Sequence, residues 1–502
     1  MRSSLNAARR ARELESLGRE PIDVLVIGGG VTGAGVALDA AARGLSVVLA
    51  EKQDLAFGTS RWSSKLVHGG LRYLASGSIG IAHESAVERG ILIEHTAPHL
   101  VVPFPQVVPL LPQVNRWHAA LLRTGFLAGD TLRAAVCTSR QTLPRSSRIT
   151  GAQVQRFAPT VRTSGLRGGL LAWDGELYDD ARLTIGIART AASLGARVLT
   201  RCEGEQVTGS GAVLRDRLTG DSYNVDARVV INAAGVWAGQ VAPGVELRPS
   251  RGTHLVLSQD SLGGLSAGLT VPVPGSMSRF VFALPAPDNR VYVGITDEDA
   301  PGEIPDVPLP TEQEIDFLLE TVSSALASPL TRADLLGTFS GLRPLLDTGG
   351  NTTADISRRH AVITAPDGLV TIVGGKLTTY RRMAEDALDV ALAAAGMTAA
   401  PCSTRRLPLV GAASREALAA VAAPARLVRK YGTEAVEVAA DAGRAEVICD
   451  GTETTEAELR FAVEHEGALD EDDLLDRRTR IGLDPTTRTR ALAAARAALS
   501  SQ

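Results

Sequence analysis

The sequence predicts an α/β protein of more than one domain: a parallel sheet, interrupted by an inserted antiparallel sheet and followed by a helical tail. Three observations carry that expectation. The run Asp23–Glu51 reads as strand, glycine-rich turn, helix and strand. Leu369–Leu388 repeats strand, glycines and helix far along the chain, and the residues between about Val245 and Thr296 fall into short β-branched runs. At 502 residues the chain also exceeds what a single core usually organises.

The opening stretch is the most informative. Val24 to Ile27 is short, apolar and β-branched, as a strand buried on both faces should be. Gly28, Gly30 and Gly33 follow in the spacing G-x-G-x-x-G, with Gly29 between the first two. Val36, Ala37, Ala40 and Ala41 then share one helix face, Gly44 ends the helix, and Ser46–Ala50 forms a second strand that delivers Glu51. This order suits a dinucleotide. Gly28 allows the tight turn, Gly30 lets the backbone approach a pyrophosphate, and Gly33 lets helix and strand pack closely. The pyrophosphate then lies on unsatisfied N–H groups at a helix N-terminus. An acid at Glu51 accepts from ribose hydroxyls and disfavours a 2′-phosphate.

Bulk properties narrow the class. Apolar residues make up 44% and charged residues 22%, a globular composition. The formal charge of −4 gives no general attraction to nucleic acid or to anionic lipid, so any basic cluster must be local. Cys137, Cys202, Cys402 and Cys449 lie far apart without a C-x-x-C, which signals neither zinc nor a disulfide framework and fits a reducing cytoplasm. The first twenty residues lack the apolar core of a secretory signal. No apolar run approaches bilayer length, so membrane contact is expected to be peripheral.

Residues 1–20, with Arg9, Arg10 and Arg12, read as a solvated arm. Gln53–Leu74 gathers hydroxyls and glycines around Lys65, His68, Arg72 and Tyr73, directly behind the dinucleotide acid, and reads as a wall of a cofactor and substrate site. Helical spacing over about 80–97 is broken by the run Pro98–Pro112. Trp117–Leu132 resumes an amphipathic pattern near Arg116, Arg123 and Arg133, suited to a core-facing helix or to a bilayer surface. Asp179 and Asp180 open a helix, where acids complement the dipole. Val229–Asn232 is a buried strand ending in Ala233, Ala234 and Gly235, whose small side chains allow close approach to a flat ligand. Thr311–Leu326 is helical. Leu369–Val373 precedes Gly374, Gly375 and a helix that can meet the far end of the same ligand.

The interruption of the dinucleotide fold by an inserted sheet favours FAD over NAD, by analogy at the level of fold. The expected organisation is an arm at 1–20, and a discontinuous FAD domain at 21–100, 150–245 and 340–398. A substrate domain is expected at 101–149 and 246–339, and a helical domain at 402–502.

GGGVTGAG, TSRWSSKLVHGGLRYL, YDDARL, GLRPL and GGKLTTYRRMAEDAL occur in that order. With them the chain resembles the FAD-dependent, respiratory glycerol-3-phosphate dehydrogenases from about Asp23 through the tail; SSKLVHGGLRYL and GGKLTTYR are the specific motifs. The resemblance implies oxidation of glycerol 3-phosphate to dihydroxyacetone phosphate, with electrons passing through FAD to a membrane quinone. It also implies a cytoplasmic enzyme peripheral to the inner face of the plasma membrane, with no nucleic-acid partner; the tail is a candidate homodimer contact. Thr59, Ser60, Ser63, Ser64, Lys65, Leu66, His68, Gly235, Gly374, Gly375, Leu377 and Thr378 are then the expected cofactor contacts.

Arg72, Arg343, Arg358 and Lys376 are expected to converge on the substrate phosphate, since cations facing one another need an anion between them. Tyr73 adds a hydroxyl. His254 is expected ahead of His68 as the base, with His68 against the flavin and Arg343 polarising the C2 oxygen. Arg61 and Trp62 stand where small residues are common in the family, and Leu284-Pro285-Ala286 lacks a tryptophan that some relatives carry. Two other oxidases of this architecture compete: a soluble glycerol-3-phosphate oxidase that makes hydrogen peroxide, and an amine or amino-acid oxidase.

Overall fold

The computed structural model describes residues 1–70, 78–276, 279–347 and 359–500. Two sheets organise it. The first contains eight strands, with a spine in the order His360–Thr364, Val370–Gly374, Ser222–Asn232, Ile22–Ile27, Val47–Ala50, Arg197–Leu199. The spine is parallel except at the His360–Thr364 edge, and the hairpin Cys202–Thr208/Gly211–Asp216 adds to Ser222–Asn232 antiparallel. Val26 stands between Ile231 and Leu49 in register. Val24, Leu25 and Val26 are fully buried, because the helices Val31–Ala42, Asp180–Ser193 and Tyr380–Ala394 cover one face while the hairpin Cys202–Thr208/Gly211–Asp216 and its neighbours fill the other.

The glycines of the first turn do what their spacing implies. Gly28 has φ +109°, a conformation that L side chains rarely adopt. A Cβ on Gly33 would stand 1.9 Å from the carbonyl oxygen of Gly28, so the helix lies against the strand only because Gly33 has none.

The second sheet has ten strands, with a main path Glu298–Asp299, Leu247–Ser258, Arg290–Gly294, Phe280–Ala286, Gly268–Pro272, Val101–Pro109, Gly169–Leu177, Leu66–Val67. The long strand Leu335–Leu346 also pairs with Leu247–Ser258. All pairs are antiparallel except Gly268–Pro272 with Val101–Pro109, a parallel pair permitted by the long connection between them. The helix Glu312–Ser323 buries Ile315, Leu318 and Val322 against Leu255, Leu257, Val281 and Val293.

Sheet membership departs from the expected boundaries in three places. Leu66–Val67, Gly169–Leu177 and Ser340–Leu346 belong to the second sheet, although all three stretches are expected in the dinucleotide domain. Alternation along a strand shows which face is buried but not which neighbour pairs with it. The N-terminal arm is also not solvated. It forms the helix Ala7–Glu15, buries Leu14, and clamps Asp216 through a two-pronged ion pair from Arg10.

Residues 402–500 form the helical tail, whose core includes Leu459, Leu474, Ile481 and Ala491. Its docking onto the first sheet is ionic. Asp54, three residues past Glu51 and fully buried, receives a two-pronged hydrogen bond from Arg478 (2.6 and 2.8 Å) and another from Arg477 (2.6 Å). Burial alone would raise the Asp54 pKa, but Arg478 and Arg477 hold it far below the ordinary carboxylate value. Arg480 donates to the backbone oxygen of Arg61 at 2.6 Å and lies over the Trp62 ring, so Arg61 and Trp62 form part of the seat of the tail. Asp54→Asn removes the charge and takes from the buried Arg478 guanidinium its carboxylate partner, while Arg477 keeps Asp473. It should cost about 3–5 kcal/mol of stability at pH 7, measured by denaturant unfolding; a loss below about 1 kcal/mol would show that the clamp is not what seats the tail.

Candidate active site

The C-terminal ends of the parallel strands open into a cavity of about 1450 Å³ that continues to the inner face of the second sheet. Ile27, Ala50, Ala233 and Gly374 mark those strand ends on its wall, the position at which open α/β sheets bind ligands.

At one end Gly28, Gly30, Val31 and Glu51 line it. The Glu51 carboxylate accepts from the backbone N–H of Gly29 (2.6 Å) through one oxygen and of Gln53 (2.7 Å) through the other. Each oxygen keeps a further lone pair for a ligand hydroxyl. Burial raises the Glu51 pKa, and the two backbone donors oppose the rise. The Ser60 hydroxyl accepts from Val31 N–H at 2.9 Å, tying the wall loop to the first turn of the glycine helix.

The wall loop from Thr59 to Leu66 is shaped by a buried ion pair. Lys65 Nζ donates to Asp180 (3.0 Å) and to the backbone oxygens of Arg61 (3.1 Å) and Ser63 (3.0 Å), while Asp180 also accepts from Ser63 N–H at 2.7 Å. Burial would raise the Asp180 pKa; Lys65, Arg480 and Ser63 more than offset it and hold the carboxylate ionised. Thr59, Ser60, Ser63, Ser64, Leu66 and His68 thereby face the cavity.

At the other end stand Arg343 and Lys376, together with Gly375, Leu377 and Thr378. Arg343 Nη1 donates to Ser250 Oγ at 3.1 Å and lies 3.4 Å from Asp297 Oδ1, and its Nη2 donates to Thr296 O at 3.1 Å. Ser250 in turn donates to Asp297 at 2.6 Å. Gly252 makes room for this fork, since a Cβ there would come within 2.5 Å of Nη2. Lys376 Nζ donates to Ser85 Oγ at 2.7 Å.

A family model described as FAD dependent oxidoreductase matches residues 23–381, and one described as C-terminal domain of alpha-glycerophosphate oxidase matches 402–501. The chain is 56% identical to Glycerol-3-phosphate dehydrogenase 1 of Mycobacterium tuberculosis (strain ATCC 25618 / H37Rv), over 99% of each chain. The chain belongs to the FAD-dependent glycerol-3-phosphate dehydrogenase family. The Mycobacterium leprae glycerol-3-phosphate dehydrogenase is 37% identical over 96% of this chain and 85% of its own. The solved structure of the Bacillus halodurans glycerol-3-phosphate dehydrogenase, complexed with FAD, is 27% identical with a TM-score of 0.74, covering 99% of this chain and 94% of that one.

The cofactor of this family is FAD, and the cavity fits it. Backbone free of side chains stands where a pyrophosphate must approach, a carboxylate waits at the second strand end, and the cavity is long enough to reach from there to Gly374–Thr378. Gly235 also lines it, whereas Gly29 serves through its bond to Glu51 and Gly33 through packing.

Three expectations change. Lys65 does not line the cavity: its ammonium is buried against Asp180, with Phe339 and Tyr292 near it. His254 does not line the cavity either. It lies behind Ser64, its Nε2 2.8 Å from Ser64 Oγ and its ring stacked on Phe339 at 4.6 Å. Burial, then Lys65 and Arg343, push its pKa well below the ordinary value, and Ser64 stands between it and the cavity. Nor do the cations face one another without an anion, because Asp297 accompanies Arg343. Arg72, Tyr73 and Arg358 lie outside the described residues.

Asp297, Ser250 and Ser85 were not singled out from the sequence. Asp297 does have a signal: it follows the strand run RVYVGIT, where a charged residue at a strand end of a substrate sheet is a site candidate.

Glu51→Ala removes the carboxylate that would accept from the ribose hydroxyls. A hydrogen bond to a charged group is worth about 1.5–3 kcal/mol, so FAD affinity should fall at least tenfold, read as the flavin-to-protein absorbance ratio after gel filtration. For His254, the acid limb of kcat/KM should keep its position in His254→Gln. A limb near pH 6.5 that vanishes in that variant would contradict a neutral, enclosed imidazole.

Proposed function

We propose that the chain oxidises glycerol 3-phosphate to dihydroxyacetone phosphate, FAD serving as hydride acceptor when bound and a membrane quinone as the final electron acceptor. The observation that carries this reading is that Arg343 and Lys376, from separate segments, line the same cavity as the dinucleotide residues Gly28, Gly30 and Glu51. A phosphate dianion is recognised by directed N–H donors and a mobile ammonium, which is what a guanidinium fork and a lysine provide.

Ser250, Asp297 and the Thr296 carbonyl fix the plane of Arg343 before substrate arrives, so little orientation is lost on binding. Asp297 keeps the arginine compensated until an anion displaces part of that interaction. Arg343 polarises the C2 oxygen, stabilising negative charge as it develops. The C2 hydroxyl proton is assigned to His68, the imidazole that lines the cavity. His254 holds Ser64 from behind. Arg72, Tyr73 and Arg358 retain the phosphate-binding roles that the family resemblance gives them. The apolar residues Val108, Phe126, Phe280 and Phe282 on the same cavity support a lipophilic acceptor.

Anaerobic mixing of the flavin-loaded protein with glycerol 3-phosphate should bleach the flavin absorbance; no bleaching would overturn the assignment. Arg343→Ala should lower kcat/KM by roughly a hundredfold, about 3 kcal/mol, with flavin content unchanged, and equal loss of both would indicate a folding role. Reduction of a short-chain quinone should outpace peroxide formation, whereas the reverse would favour the oxidase.

A further inference from the structure

The helix Ile79–Ile91 supplies none of the side chains that line the cavity, yet it touches the segments that do. Ala82, Ser85, Ala86 and Arg89 recur at the spacing that sets them on one helix face, and all four are buried, with Glu88 beside them. Each polar member of that face holds a different part of the site. Ser85 Oγ accepts from Lys376 Nζ at 2.7 Å. Glu88 accepts from Arg381, on the segment that follows Lys376, at 2.6 and 2.8 Å. Arg89 donates to Asp174 Oδ1 at 2.7 Å, and the same oxygen accepts from Gly69 N–H at 2.9 Å. A Cβ on Gly69 would stand 2.3 Å from Arg89 Nη1, so the guanidinium lies directly against the backbone that follows His68. One helix therefore grips both the segment that carries Lys376 and the segment that carries His68.

The Ser85 hydroxyl is fixed in the role of acceptor. Its proton is donated to Ile81 O at 2.7 Å, a bond within its own helix, so the oxygen presents a lone pair where Nζ arrives. Lysine carries its charge on a long flexible stem, and ordering that stem costs conformational entropy. A bond made before substrate arrives takes this cost out of the binding step. An ammonium has three donors, so the bond to Ser85 still leaves it able to donate to an anion.

We propose that Ser85 is a positioning residue for phosphate recognition: it holds the Lys376 ammonium ready for the phosphate oxygens of the substrate, while the same helix sets the place of Lys376 relative to His68. The proposal rests on the glycerol 3-phosphate reading and deepens it. The phosphate does not react, so its grip is the same in the ground state and in the transition state. Loss of the positioning bond then acts on half-saturation and leaves the limiting rate alone.

The test is anaerobic single-turnover bleaching of the full-length, flavin-loaded protein over a range of glycerol 3-phosphate concentrations, in wild type, Ser85→Ala, Lys376→Ala and the double variant. In Ser85→Ala the half-saturating concentration should rise about fivefold, while the limiting bleaching rate and the flavin content stay within about twofold of wild type. A residue that acts through Lys376 has nothing further to lose once the ammonium is gone. The double variant should therefore match Lys376→Ala within about twofold in its bleaching rate at low substrate. An unchanged half-saturating concentration in Ser85→Ala overturns the proposal. Losses that multiply in the double variant also overturn it, as does a fall of flavin content in Ser85→Ala, since both mark a role in packing alone. Wild type that is not bleached at all refutes the catalytic reading, whereas wild type and Ser85→Ala that bleach alike refute this proposal and leave that reading standing.

Discussion

The ion pair between Lys65 and Asp180 sets the geometry on which the cavity depends. Neither group reaches solvent, and each is worth having buried only because the other, with the backbone of residues 61–63, satisfies it. The consequence is local and mechanical. The loop folds around the ammonium, placing Ser63, Ser64 and His68 on the wall of the ligand space while the charge stays behind it. Asp180 begins the helix Asp180–Ser193, which also packs on the glycine helix, so one carboxylate couples the dinucleotide half to the substrate wall.

Much of this was legible in the sequence wherever function is written in backbone and short-range spacing. Gly28, Gly33 and Glu51 behave as their spacing implies because a turn, a close approach and a strand end are local properties. The repeated strand-glycine-helix at Val370–Ala394 was legible for the same reason. Roles fixed by distant partners were not. Lys65 looked like a cofactor residue until Asp180, 115 positions away, claimed it. His254 looked like a base until its neighbour 190 positions earlier, Ser64, proved to stand between it and the cavity. Asp179 and Asp180 read as a helix cap; Asp179 does accept from Arg182 N–H, but the deeper role of Asp180 came from the tertiary fold.

Charge compensation is the second lesson of the site. A cluster of cations awaiting an anion would be strained in the absence of ligand, and the fold avoids this by giving Arg343 an acidic companion held by a serine. The arginine is thus oriented at all times yet able to exchange part of its interaction for a better acceptor. An incoming anion therefore has to compete with Asp297 for the guanidinium.

The clamp on Asp54 has a consequence for how the two halves communicate. Glu51 and Asp54 occupy one short turn, the former lining the cavity and the latter anchoring Arg477 and Arg478. A single peptide segment therefore reports on both events, and linkage makes the effect mutual: whatever tightens nucleotide binding through that turn must tighten the tail by the same factor. Through such a turn a nucleotide and the tail need share no atom in contact to influence one another.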